Sequence, residues 1–219
     1  MKALLYQGGW DGHTPKETAK LLANGLRDAG GMVDVVDNTN ILNDKDALAR
    51  YDLIVPLWTM ASPETITNEH AKNLSEAVRA GTGIGGVHGG MGDSVRHSLL
   101  YQWMTGGQFI DHPHVGPYTV DLTDAGKKNA ITRDLPASFP YNSEQYYMLV
   151  DPRIDVLATT VYDREGRKVT MPVVWTSTWG RGRVFFSALG HTASEFTTYP
   201  DVLAMTIRGL RWAARSHTD

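Results

Sequence analysis

In the first half of the chain, apolar residues fall into short unbroken runs, and longer amphipathic stretches separate those runs. Lys2 to Gln7, Met32 to Val36 and Asp52 to Trp58 read as strands; the third run is apolar enough for a strand covered on both faces. Thr14-Pro15-Lys16-Glu17 has the form of a helix start, with Thr as cap, Pro in the first turn and Glu closing a capping box. Leu21, Leu22, Gly25 and Leu26 give that helix one apolar face, and Gly30-Gly31 ends it. A short helix follows over Asp44 to Arg50. A longer one covers Glu64 to Ala80, with Ile66, Ala71, Leu74 and Val78 in register. Strands alternating with helices in this way predict a parallel, helix-covered sheet with right-handed crossovers.

The pattern sharpens at Thr82 to Ser94. Ile84 and Val87 sit among small residues, as in a tightly packed strand, and Gly89, Gly90 and Gly92 then crowd one turn. Asp93 and Ser94 are placed to cap a following helix. His88 therefore stands at a sharp strand-to-helix corner, on the sheet edge where open α/β folds bind ligands. Hydrolases of related design hold a nucleophile at such a bend; here it carries an imidazole.

Beyond Ser94 the pattern changes. Ser94 to Thr105 reads as a helix with Leu99, Leu100, Trp103 and Met104 apolar, and Gly106 to His114 as a loop. Val115 to Thr123, Glu144 to Val150, Val156 to Tyr162 and Lys168 to Thr176 read as strands, with an irregular stretch over Asn129 to Pro140. Thr178 to Gly182 makes a hairpin turn whose return strand is Arg183 to Ser187; Asp201 to Arg215 is a closing helix. With no repeat, low-complexity tract or linker, residues 1–219 are expected to form one domain.

Composition narrows the chemistry. The 219 residues carry a net charge of −3, which argues against a nucleic-acid or anionic-membrane partner. No apolar run is long enough to span a bilayer. The start, Met1 to Gln7, is too short and too quickly polar for a signal peptide, so a cytoplasmic protein is expected. The chain has no cysteine, which leaves His, Asp and Glu to hold any metal and Ser, Thr, a carboxylate or water to act as any nucleophile. Gly8-Gly9 and Gly12 follow a strand, but their spacing matches neither dinucleotide nor P-loop signatures.

Several stretches together resemble the ThuA-like (trehalose-utilisation) family of the class I glutamine amidotransferase-like superfamily. They are Gly86-Val87-His88-Gly89, Thr105 to Phe109 with His112-Pro113, Ala130 to Arg133, Ser143 to Tyr147, Pro172 to Trp175, Gly180 to Phe185 and Leu189 to Thr192. They come in family order and span nearly the whole chain. The resemblance implies a flavodoxin-like, three-layer α/β/α fold with a mostly parallel sheet, here followed by a C-terminal hairpin. It also implies that His88 occupies the bend where related enzymes carry a catalytic cysteine, so glutamine hydrolysis through a thioester is excluded. The implied setting is disaccharide metabolism, with a small-molecule carbohydrate as partner.

Imidazoles from distant positions are then expected above one sheet edge. His13 follows the first strand, His88 the elbow strand and His191 the last hairpin strand; the long loop brings in His112. Glu144, by its motif, and Asp93, by its place in the turn, are the nearest carboxylates, and both also have plain readings, as an edge-strand surface residue and a helix cap. His88, His191, Glu144 and Asp93 are the candidates for catalysis, and His13, His112, Trp58 and Trp10 for substrate binding. His88, His112 and His191 are the candidate ligands for a divalent metal such as zinc. Metal-free acid–base work on a sugar or keto-sugar, with His88 as base, is the other chemistry these residues allow. His70, His97 and His217 read as solvated or backbone-satisfied, His114 as a weak candidate, and Trp103, Trp175 and Trp212 as core. A serine hydrolase using Ser94 or Ser98 is a runner-up without the Gly-x-Ser-x-Gly signature. A non-catalytic sugar-binding or regulatory protein is the alternative to an enzyme. Exposed parts of the loops and hairpin point to a homo-oligomer.

Overall fold

The computed structural model describes residues 1–216. In chain order the elements are β1 (Lys2–Gly9), α1 (Pro15–Asp28), β2 (Met32–Val36), α2 (Lys45–Leu48), β3 (Leu53–Thr59), α3 (Asn68–Arg79), β4 (Gly83–Val87), α4 (His88–Gly92) and α5 (Leu99–Thr105). Then come β5 (Gly107–Leu122), β6 (Ser138–Val150), β7 (Asp155–Arg164), β8 (Arg167–Trp179), β9 (Gly182–Ser187), α6 (Ala193–Thr198) and α7 (Pro200–Ala213). All nine strands form one sheet in the order β2-β1-β3-β4-β9-β8-β7-β5-β6.

The sheet has two halves. From β2 to β9 every neighbouring pair is parallel, and the order of the first four strands is the flavodoxin-like 2-1-3-4. From β9 to β6 every pair is antiparallel. The expected C-terminal hairpin, β8–β9, is the seam between them, since β9 pairs parallel with β4 on one side and antiparallel with β8 on the other. The parallel half is apolar because helices cover it: β3 and β4 are buried along almost their whole length, and α7 packs close enough that a Cβ on Gly85 would touch Leu210. No helix among the described residues is long and apolar enough to cross a membrane.

Several local expectations are corrected. The helix expected from Glu64 starts at Asn68, because Thr67 caps it: the Thr67 hydroxyl accepts from the His70 amide, and the His70 ring accepts from the Thr67 amide. The Thr14–Glu17 capping box does not form. Thr14 is left-handed (φ 44°), and its hydroxyl accepts from the Ala193 amide at 2.9 Å, tying the start of α1 to the start of α6. The helix expected from Ser94 begins only at Leu99, capped by Ser98, so Asp93 and Ser94 do not cap it. On that two-turn helix Leu99 and Trp103 are 81% and 57% exposed, against expectation, because it packs through Tyr101 and Met104. The loop expected over Gly106–His114 is mostly strand: β5 starts at Gly107 and follows β6 through register shifts at Phe109/Asp111 and Asp111/His114. Helix α6 had no signal in the pattern.

The remaining bystanders find partners. His70 is buried and bonds Asn43 Oδ1 at 2.9 Å, so it is satisfied and not solvated; His97 bonds the Ile66 carbonyl at 2.9 Å. Trp175 is core, and Trp212 is half-buried against it. His217 lies outside the described residues.

Candidate functional site

The parallel strands end on one edge, and the residues just past β1, β3 and β4 meet there. Strand order reverses between β1 and β3, the crevice where this sheet type binds ligands. Past β1, the short helical turn Asp11–His13 carries His13. At the end of β3, Thr59 Oγ1 lies 2.8 Å from His13 Nδ1. Past β4 comes the elbow.

His88 is the first residue of α4 and has φ 45°, a left-handed conformation uncommon for a residue with a side chain. The bend is tight enough that a Cβ on Gly89 would collide with the His13 ring, so glycine there lets the two histidines approach. His88 is 1% exposed.

Three imidazoles pack nearly at right angles. Ring centroids are 4.8 Å apart for His13–His88, 4.9 Å for His13–His191 and 5.1 Å for His88–His191, with interplanar angles of 84°, 80° and 87°. Glu144 reaches in from β6. Its Oε2 is 3.3 Å from His191 Nδ1 and 3.6 Å from His88 Nε2, while Oε1 is 3.7 Å from His112 Nε2. One ligating atom from each of His13, His88, Glu144 and His191 lies within 4.8 Å of the other three. His112 stands outside this group, on the far oxygen of Glu144.

The His13 and His88 rings are held from behind by hydroxyl groups, and His191 through its main chain. Tyr146 Oη lies 2.8 Å from His88 Nδ1, and the buried His88 Nε2 has no hydrogen bond among the described residues. Glu195 fixes the His191 loop: it accepts from Tyr141 Oη and Ser143 Oγ, both at 2.7 Å, and from the His191 amide at 3.0 Å.

Electrostatics follow from burial and crowding. Burial, then the neighbouring imidazoles, push His88 well below its ordinary pKa. The same causes bring His13 down to about 4. Both are neutral at pH 7, the form in which imidazole binds metals or accepts a proton. Burial also works to lower His191, but the Glu144 carboxylate beside it prevails and raises it. Burial works to raise Glu144, and the imidazoles of His191, His112 and His13 outweigh it and hold it below the usual carboxylate range. Burial raises Asp93 despite its bonds to Arg96.

A recess of about 160 Å³ opens outward from this cluster. His13, Glu144, Tyr146 and the buried Asp93 line it together with Trp10, Phe109, Arg96 and His112; His88 and His191 lie behind, on a narrower cavity that shares His13 and Thr59 with it. Trp10 is 48% exposed and packs edge-on against His13 at 4.8 Å. Asp93 is buried, gripped by Arg96 and Gln108. Trp58 does not line the recess; its ring lies over Gly8, within 2.7 Å of where a Cβ would be. His114 is exposed and bonds the Pro117 carbonyl. Ser98 is used as a helix cap and Ser94 is buried; neither lines the recess.

Sequence reasoning missed Thr59, Arg96, Tyr146 and Glu195. Tyr146 was within reach of it: residues two apart on a strand share a face, so a site that includes Glu144 also presents Tyr146. Nothing in the pattern pointed to Glu195, which sits on the helix that was not expected.

A sequence-family profile described as ThuA, trehalose utilisation, matches residues 2–213. No curated protein sequence matches the chain significantly. Among solved structures, a ThuA-like protein from Bacteroides uniformis superposes with a TM-score of 0.77 at 18% identity, covering 97% of this chain and 91% of that one. A ThuA-like protein from Parabacteroides merdae gives 0.74 at 20% identity, covering 100% and 92%. A protein described as cytoplasmic from Salmonella typhimurium LT2 gives 0.73 at 16%, covering 98% and 100%. At these identities the likeness concerns the fold.

Proposed function

The chain belongs to the ThuA, trehalose-utilisation, family, and from that membership we propose that it acts on a sugar or keto-sugar in the recess beside the cluster of His13, His88, His191 and Glu144. The observation that carries this reading is the convergence of three imidazoles and one carboxylate from four separate chain segments beneath an aromatic-lined opening. Folding draws such groups together at the cost of desolvating them, which is a mark of sites built for chemistry.

The chemistry is imidazole-based proton transfer. His88, neutral at pH 7 and oriented by Tyr146, serves as base through Nε2. His191, with the Glu144 carboxylate 3.3 Å from its Nδ1 to favour its charged form, returns a proton to the substrate. On a keto-sugar, a base next to the carbonyl removes a carbon-bound proton, and the neighbouring donors stabilise the enediolate that forms.

The same groups suit a divalent ion such as zinc. His13 Nδ1 and His88 Nδ1 are both engaged by hydroxyl groups, which leaves Nε2 of each free, and a hydrogen bond on the second nitrogen is how metal-binding histidines are usually oriented. His13, His88, His191 and Glu144 would hold the ion, with His112 at the edge of the set. Bound there, it would polarise a carbonyl or activate water. A cytoplasmic location is part of the same proposal, supported by the description of the Salmonella neighbour.

The test combines metal analysis with product analysis. Wild-type protein and His88→Ala are loaded with zinc or manganese, their stoichiometry is measured, and both are incubated with trehalose and its keto derivatives. Turnover by the wild type, with loss of both metal and turnover in the variant, is expected. Unchanged metal content in His88→Ala removes His88 from the ligand set. Sugar binding without any product assigns the chain to the non-catalytic alternative.

A further inference from the structure

Arg96 stands on the wall of the recess, and its contacts are unusual for a surface arginine. Nε donates to Asp93 Oδ1 at 2.6 Å, and Nη2 donates to Oδ2 at 2.7 Å. Asp93 is 3% exposed; it also accepts from Gln108 Nε2 at 3.2 Å, and its carbonyl accepts from the Met60 amide. A carboxylate so enclosed cannot swing, so the two-point bond fixes the plane of the guanidinium. The Arg96 carbonyl in turn accepts from Gln102 Nε2 at 2.7 Å, which pins the main chain. Nη1 makes no hydrogen bond among the described residues, and Arg96 lines the recess. Phe109 flanks the guanidinium, 5.9 Å from its carbon, and Trp10 also lines the recess.

We propose that Arg96 positions the substrate, and that the substrate it selects is an uncharged sugar. The Nη1 edge donates to a ring hydroxyl or carbonyl oxygen, while Trp10 and Phe109 meet the apolar faces of the ring. The selection comes from charge. The arginine's positive charge is already matched by Asp93, and the Glu144 carboxylate lies against His191 and His112, so a sugar phosphate or sugar acid finds no unpaired positive charge in the recess to repay its desolvation. Asp93 is then the anchor of Arg96 and does not touch the substrate. This inference rests on the carbohydrate reading above.

Calorimetry with trehalose, glucose, glucose 6-phosphate and glucuronate tests it. The wild type is expected to bind a neutral sugar at least about tenfold more tightly than either anionic one, a difference of about 1.4 kcal/mol. Arg96→Ala is expected to lower the neutral-sugar affinity by about tenfold. That variant strands a buried carboxylate and can fail to fold, so the double variant Asp93→Asn with Arg96→Gln removes both charges together. The double variant is expected to melt close to the wild type, to bind zinc as the wild type does, and still to lose the sugar affinity; a merely structural role would not separate these readouts. A folded double variant with unchanged sugar affinity, or tighter binding of an anionic sugar by the wild type, overturns the assignment of Arg96 while leaving the carbohydrate reading in place. A wild type that binds none of the four sugars, nor a keto derivative of trehalose, overturns both.

Discussion

Tyr146 Oη and His88 Nδ1 meet at 2.8 Å with both residues buried, and through that contact the antiparallel half of the sheet orients a side chain that the parallel half supplies. Tyr146 comes from β6, the last strand of the antiparallel half, and His88 from the end of β4. The bond decides which His88 nitrogen faces Glu144. Burial raises Tyr146 well above the ordinary tyrosine pKa, so it stays a phenol at every working pH.

Replacing Tyr146 by Phe removes one hydroxyl and leaves His88 Nδ1 buried without a partner. The expected stability cost is about 1–3 kcal/mol. If the cluster binds zinc, affinity falls roughly 10–100-fold, as for other losses of a group that orients a metal ligand. Thermal melts and a zinc titration of the folded variant check the two effects separately.

Gly89→Ala places a methyl group where the His13 ring now lies. The ring must move or the α4 turn must open, at an expected cost of about 1–3 kcal/mol. A denaturant melt gives the cost. The His13 ring signals in an NMR spectrum should shift more than those of His70, which is anchored elsewhere by Asn43.

Acid should destabilise the fold before ordinary carboxylates titrate. His13 and His88 have folded pKa values below the unfolded 6.5, so the unfolded chain takes up protons that the folded one refuses. Their contribution is present above pH 6.5 and is lost as pH falls from there towards about 4, the folded value for His13. Glu144, lowered in the fold, loses its own contribution only as pH falls below 4.5. His191, raised, acts the other way: its contribution is complete below 6.5 and fades above its folded pKa. Between pH 7 and pH 4.5 the three lowered imidazoles, His13, His88 and His70, outnumber it, and Glu144 adds its loss only below 4.5. The melting temperature should therefore drop between pH 7 and pH 4.5, and a flat profile would contradict the buried, neutral imidazoles.

Glu144→Gln keeps the shape of the side chain and removes its charge. His191 then loses the group that raises it, and burial alone should carry its pKa below 6.5. An NMR titration of the His191 ring reads this directly; a pKa that stays raised would mean that another group, such as Glu195, dominates.

Glu195→Ala leaves Tyr141 Oη, Ser143 Oγ and the His191 amide without their shared acceptor. A stability loss of about 2–4 kcal/mol is expected from bonds to a charged group, together with weaker metal or sugar binding through a displaced His191. Melting curves paired with ligand titration distinguish the two.

The sequence by itself determined the parallel half of the fold and the elbow. Apolar runs over Leu53–Trp58 and Ile84–Val87 can only be satisfied beneath helices, and the glycines after His88 can only serve a tight turn, so both features are local and show in the residues themselves. The placing of His13 and His88 at one edge followed from the same logic, because each comes just after a parallel strand; His191 joins them because β9 pairs parallel with β4. Only the tertiary structure decided what surrounds them. Strand β6 is brought to His88 by antiparallel pairing across the second half of the sheet, and those pairings join residues such as Tyr147 and Asp111, or Glu144 and Val115, whose separation in sequence carries no periodic signal. The exposure of Leu99 and Trp103, the turning of Thr14 towards Ala193, and the grip of Asp93 on Arg96 are likewise set by what packs against each residue and not by the residue's own neighbours in the chain.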